Sequence, residues 1–158
     1  METFLDVPYH HIVFTMPDVL WNIFPYDRSL LDIPFKAAEQ TILEWCRQGG
    51  YVPGVVCVLH TFGSILNFNV HIHMLITEGG LNPDRTTWIG NEYIPWKMLK
   101  KRWKYWILTL LEPEVKRLIR QEWIEARYRA LGVGYRFHSF LERSEGENLV
   151  CLDGIGTL

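Results

Sequence analysis

Val70 to Thr77 is an alternating run: Val70, Ile72, Met74 and Ile76 fall on one parity, His71 and His73 on the other. A period of two over eight residues specifies a β-strand with one face in a core. Both imidazoles of His71-Ile72-His73 then project from the opposite face of a rigid element. Two neutral imidazoles held this way are half of a divalent-metal site. The remaining ligand is best sought on a neighbouring strand. Val55 to His60 is such a strand, and a hairpin connection over Thr61–Asn69, with Gly63 and two asparagines, brings His60 near the height of His71. His60, His71 and His73 are the candidate metal ligands.

The other histidines are weaker candidates. His10 and His11 are adjacent on a strand and point to opposite faces, so at most one approaches the site. His138 is isolated and reads as structural. Glu78 has the wrong strand parity unless a turn at Gly79 redirects it. Cys46 and Cys57 fall on a helix and a buried strand, where inert thiols are usual. The three cysteines (Cys46, Cys57, Cys151) form no CxxC pair, which argues against a disulfide framework or zinc ribbon. GxSxG, P-loop, GxGxxG and HExxH patterns are all missing.

Around the hairpin the chain alternates strands with amphipathic helices. Residues 8–16 read as a strand ended by Pro17, and residues 18–28 as a loop or short helix. Asp32 to Arg47 reads as a helix with the stripe Leu31, Phe35, Ala38, Ile42 and Trp45. Pro34 lies in its first turn and Gly49-Gly50 stops it. Gly79-Gly80 and Asn82-Pro83-Asp84 are turn signals. Residues 96–111 form a third helical pattern. Pro113 is expected to open a separate helix from Glu114 to Leu131, closed by Gly132, and Tyr135 to Leu141 is expected as a last strand. The order β, α, β, β, α, α, β predicts an α+β fold, an antiparallel sheet covered by helices. The domain is expected over residues 1–142, with an irregular tail over 143–158.

Charge is segregated. Residues 1–96 hold four Lys and Arg against ten Asp and Glu, while residues 97–158 hold twelve against eight. Lys97, Lys100, Lys101, Arg102 and Lys104 lie within eight positions, and Arg127, Arg129 and Arg136 follow. Such a cluster attracts phosphates, although the polar face of an ordinary helix has the same look. No apolar run is long enough to span a bilayer, and no signal-peptide pattern opens the chain; a cytoplasmic location is expected.

Two further strings extend the histidine motif. Leu59-His60-Thr61-Phe62-Gly63, Phe68-Asn69-Val70-His71-Ile72-His73 and Gly79-Gly80-Leu81 occur in that order, and Val7-Pro8-Tyr9-His10-His11-Ile12-Val13-Phe14-Thr15-Met16-Pro17 lies upstream. Over residues 7–141 the chain resembles the two-tyrosine, HUH-type (histidine–hydrophobic–histidine) transposases of bacterial insertion sequences. The resemblance implies an HUH-nuclease-like sheet and metal-dependent nicking and strand transfer of single-stranded DNA at element ends. Mg(II) or Mn(II) would be the ion, with no small-molecule substrate. A tyrosine would attack phosphorus, leaving a 5′-phosphotyrosine and a free 3′-hydroxyl. The basic residues from Lys97 to Arg136 would contact the DNA backbone.

The family's cysteine-rich upstream segment is not found in these residues. Its nucleophile tyrosines lie downstream of the last strand, whereas no tyrosine follows Tyr135 here. Tyr105 and Tyr128 sit on helices and do not match that position, so no catalytic tyrosine is assigned. The expectation is a truncated or frameshifted copy that keeps the metal site and DNA surface and lacks the nucleophile. The alternatives are a metal-dependent hydrolase using the same histidines and a non-catalytic DNA-binding remnant.

Overall fold

The computed structural model describes residues 6–63, 65–120 and 150–151. The central element is β3 (Phe68–Leu81), flanked on one side by β2 (Val52–Phe62) and on the other by β1 (Tyr9–Phe14). A short β5 (Val150–Cys151) extends β1, giving the order β2-β3-β1-β5. β4 (Trp88–Ile89) pairs with the end of β3, and every pairing is antiparallel. Among the described residues three α-helices accompany the sheet: α1 (Asp18–Trp21), α2 (Asp32–Gln48) and α3 (Trp96–Arg120). The architecture is α+β, as the element pattern implies.

Register assigns each residue to a face. Ile72, Met74 and Ile76 pair with Phe14, Ile12 and His10 on β1, and with Leu59, Cys57 and Val55 on β2. This face meets α2 and α3: Ile12, Phe14, Val70, Ile72, Met74 and Ile76 join Ala37, Ala38, Ile42, Leu99, Trp103 and Ile107 in one buried cluster. Trp103 anchors α3 to it. Its ring lies 4.9 Å from that of Phe14, and its Nε1–H donates to the Thr15 carbonyl at 2.7 Å. The opposite face carries His11 and Val13, Val56, Val58 and His60, and His71, His73 and Leu75.

α2 ends as its glycine pair requires. Gly50 adopts φ +74; its N–H bonds the Arg47 carbonyl, and the Tyr51 N–H reaches back to the Cys46 carbonyl. These paired bonds form a Schellman cap, which favours glycine at the left-handed position. The buried stripe of α2 holds Ala38, Ile42 and Trp45 as expected. It is centred further round, however, taking in Pro34, Ala37, Thr41 and Cys46 and leaving Leu31 and Phe35 at its margin.

Four expectations need correction. Gly79-Gly80 is not a turn but lies inside β3. A Cβ on Gly79 would meet the Ile89 carbonyl oxygen and one on Gly80 the Val52 carbonyl oxygen, so the glycines let the β3 backbone come close to β4 and to β2. The turn follows, where the Asn82 side chain accepts from the Thr86 and Thr87 amides. Second, Pro113 does not open a new helix: α3 runs through it to Arg120. The stripe Leu99, Trp103, Ile107, Leu111, Val115 and Leu118 is buried on both sides of the proline, and that burial outweighs the lost backbone bond. Third, the hairpin loop is shorter than expected, residues 63–67, because both strands extend toward it; the Gly63 amide bonds the Asn67 carbonyl. Fourth, Val150 and Cys151, placed in an irregular tail, pair with Phe14 and Val13. The expected strand Tyr135–Leu141 and the helical pattern beyond Arg120 lie outside the described residues.

Candidate metal centre and nucleic-acid surface

The three histidines singled out in the sequence meet on the face of the sheet opposite α2 and α3. His60 stands directly across from His71 in the β2–β3 ladder, and His73 lies two residues along the same strand. One ligand nitrogen from each lies within 4.8 Å of the others. Ring centroids are 4.3 Å apart for His60 and His73, 5.2 Å for His60 and His71, and 5.0 Å for His71 and His73. Hydrogen-bonded backbones on both sides of the site hold this spacing, so little ordering is left for a ligand to impose.

His71 has a defined tautomer. Its Nδ1 lies 3.0 Å from the Asn69 carbonyl oxygen. A carbonyl only accepts, so Nδ1 carries the proton and Nε2 presents its lone pair. A backbone acceptor behind a ligating imidazole is the arrangement that orients metal ligands.

Strand alternation divides His10 from His11 as expected. His10 faces the helices, 8% exposed, with Nε2 3.5 Å from Glu78 Oε1; Glu78 therefore stays on the face away from the metal candidates. His11 does approach them, with Nε2 2.9 Å from Nδ1 of His73. The sequence allowed one of the pair to reach the site but not which, because the register between β1 and β3 is not written in β1.

The thiols stand apart from this chemistry. Cys46 is buried under Tyr51, and loss of hydration pushes its thiol up to about 11. Cys57 faces α2; burial, and then the charge of Glu39, push it up to about 11 as well. Neither presents a thiolate near neutrality. Tyr9 shares the histidine face, but it pairs with Thr77 whereas Val13 pairs with His73. Four residues of strand place it ~13 Å from that histidine. Tyr105 projects from α3, 60% exposed.

The basic segment occupies the opposite layer. Leu99, Trp103 and Ile107 turn inward from α3, while Lys97 and Lys101 are exposed and Lys100, Arg102 and Lys104 half-buried. Arg102 forms an ion pair with Glu44 of α2, tying the two helices together. The sheet thus separates these cations from the three histidines. Arg127, Arg129 and Arg136, like Tyr128 and His138, lie outside the described residues. Among the described residues no helix is long and apolar enough to cross a membrane.

An α+β domain with a histidine triad on two paired strands defines a class, and comparison with known proteins supplies the family. The Y2_Tnp family model, described as "Putative transposase", matches residues 54–134, just over half of the chain, and takes in His60, His71 and His73. The chain belongs to this family of insertion-sequence transposases. It is 30% identical over 156 residues to the "Transposase for insertion sequence element IS801" of Pseudomonas savastanoi pv. phaseolicola, covering 92% of this chain and 38% of that protein. It is also 30% identical over 115 residues to the "Putative transposase y4qJ" of Sinorhizobium fredii (strain NBRC 101917 / NGR234), covering 68% of this chain and 29% of that protein. The chain spans about a third of the length of these curated relatives. No solved structure matches it.

Proposed function

We propose that the chain is the metal-binding, DNA-processing part of an HUH-type transposase, acting on single-stranded DNA at the ends of its element. One observation carries this reading: three imidazoles from two hydrogen-bonded strands offer nitrogens within 4.8 Å of one another. An ion at ~2.1 Å from each nitrogen needs them about 4 Å apart or less, a little closer than that 4.8 Å limit. Imidazole donors suit Mn(II) better than Mg(II), which prefers oxygen. Such an ion would supply charge stabilisation at a scissile phosphate. The chain's own part is to hold His60, His71 and His73 aligned, through the β2–β3 ladder and the Asn69 carbonyl.

The basic residues Lys97, Lys100, Lys101 and Lys104, with Arg127, Arg129 and Arg136, supply backbone contacts in this reading. They add affinity for a strand that wraps from the histidine face to α3. Arg102 contributes through its pairing with Glu44, which positions α3.

The direct test is thermal. Mn(II) should raise the melting temperature of the wild-type chain, and His71→Ala should abolish that rise. An equal rise in the variant would overturn the assignment.

A further inference from the structure

His11 is used by no part of the proposed reaction, yet its ring touches the triad. Its Nε2 lies 2.9 Å from Nδ1 of His73, and the two rings are 17° from coplanar with centroids 5.1 Å apart. That separation is the bond length plus two ring radii of about 1.1 Å each, so the N–H···N bond lies near the plane of both rings and close to linear, the favourable geometry. β1 makes this possible. His11 pairs with Leu75 and His73 with Val13, so the two histidines are diagonal neighbours on one face, within reach of long side chains.

Deepening the metal reading on which it rests, we infer that His11 is a positioning residue that sets the tautomer of His73. A neutral imidazole has one N–H, so in this bond one ring donates and the other accepts. With His73 donating from Nδ1, its Nε2 keeps a lone pair for an ion shared with His60 and His71. With His11 donating, the proton of His73 sits on Nε2 and that nitrogen can hold no metal. The first arrangement gives His73 what the Asn69 carbonyl gives His71, so two ligands on one strand are each buttressed at Nδ1. The buttresses differ in origin. Asn69 belongs to the ligand strand itself, whereas His11 comes from the neighbouring strand and ties the site to β1. Partners of this kind are worth 10–100-fold in metal affinity.

The test compares wild type, His11→Phe, which keeps a ring without an acceptor, and His11→Asn, which restores an acceptor. In metal-free protein at alkaline pH, long-range 15N–1H correlation spectra should show His73 as the Nδ1–H tautomer in wild type and His11→Asn. The spectra should show the Nε2–H form in His11→Phe. Mn(II) binding, followed by electron paramagnetic resonance, should weaken 10–100-fold in His11→Phe and recover in His11→Asn. Nε2–H at His73 in wild type, or wild-type affinity in a folded His11→Phe, overturns the inference. Failure of wild type to bind Mn(II) overturns the metal reading instead, and the spectra still decide what His11 does.

Discussion

At the scale of single residues, the histidines and glycines divide between what spacing predicts and what contact decides. His71 and His73 share a face because they are two apart on a strand. His60 joins them because the hairpin register sets it opposite His71. Gly79 and Gly80 read as turn formers, since glycine is common in turns, but the neighbouring carbonyls of Ile89 and Val52 are what exclude a side chain there. The two kinds of glycine should respond differently to substitution. Gly80→Ala drives a Cβ into the Val52 backbone and should cost roughly 1–3 kcal/mol. Gly50→Ala meets open space and carries only the left-handed backbone penalty, about 1 kcal/mol. Urea unfolding of both variants checks the order; a larger loss at Gly50 would contradict the packing account.

At the scale of elements, α3 departs most from what its sequence suggests. Pro113 removes the N–H that would bond the Thr109 carbonyl, a strong local signal for a break. Six buried side chains from Leu99 to Leu118 keep the helix continuous nonetheless. Pro113 is solvent-exposed, so Pro113→Ala should restore the bond without disturbing the core and stabilise the chain by up to about 3 kcal/mol. A lower urea midpoint in that variant would mean the proline supports the helix in place. The outward row of α3 makes a second prediction. Replacing Lys100, Lys101 and Lys104 with Gln should weaken single-stranded DNA binding and reduce the magnitude of the logarithmic salt slope by about 0.7 per lost phosphate contact. Mn(II) binding should stay unchanged, since the sheet lies between α3 and the histidines. An unaltered slope would make the row a solvated helix face.

At the scale of the whole molecule, the proposed chemistry divides into a site that the described residues build and a nucleophile that the described residues do not bring to it. Tyr9 is too far along β1 and Tyr105 sits in the helix layer. With no tyrosine after Tyr135, where the resemblance puts the nucleophile, a chain of these 158 residues should bind labelled single-stranded DNA without forming a covalent adduct, even with Mn(II). A protease-sensitive shifted band on a denaturing gel, lost in Tyr105→Phe or Tyr128→Phe, would show otherwise. What the sequence by itself determined was whatever depends on near neighbours along the chain: the strand character of residues 70–77, the shared face of His71 and His73, the stop of α2 at Gly49-Gly50, and the family motifs carried by β2 and β3. Only the tertiary structure decided which of His10 and His11 meets the triad, that Arg102 is engaged by Glu44, that the Gly79-Gly80 pair is strand, and that α3 passes through Pro113. Each of these depends on an interaction between segments distant in sequence. Such an interaction is strong enough to override a local preference of ~1–3 kcal/mol, but it exists only once sheet register and helix packing have formed.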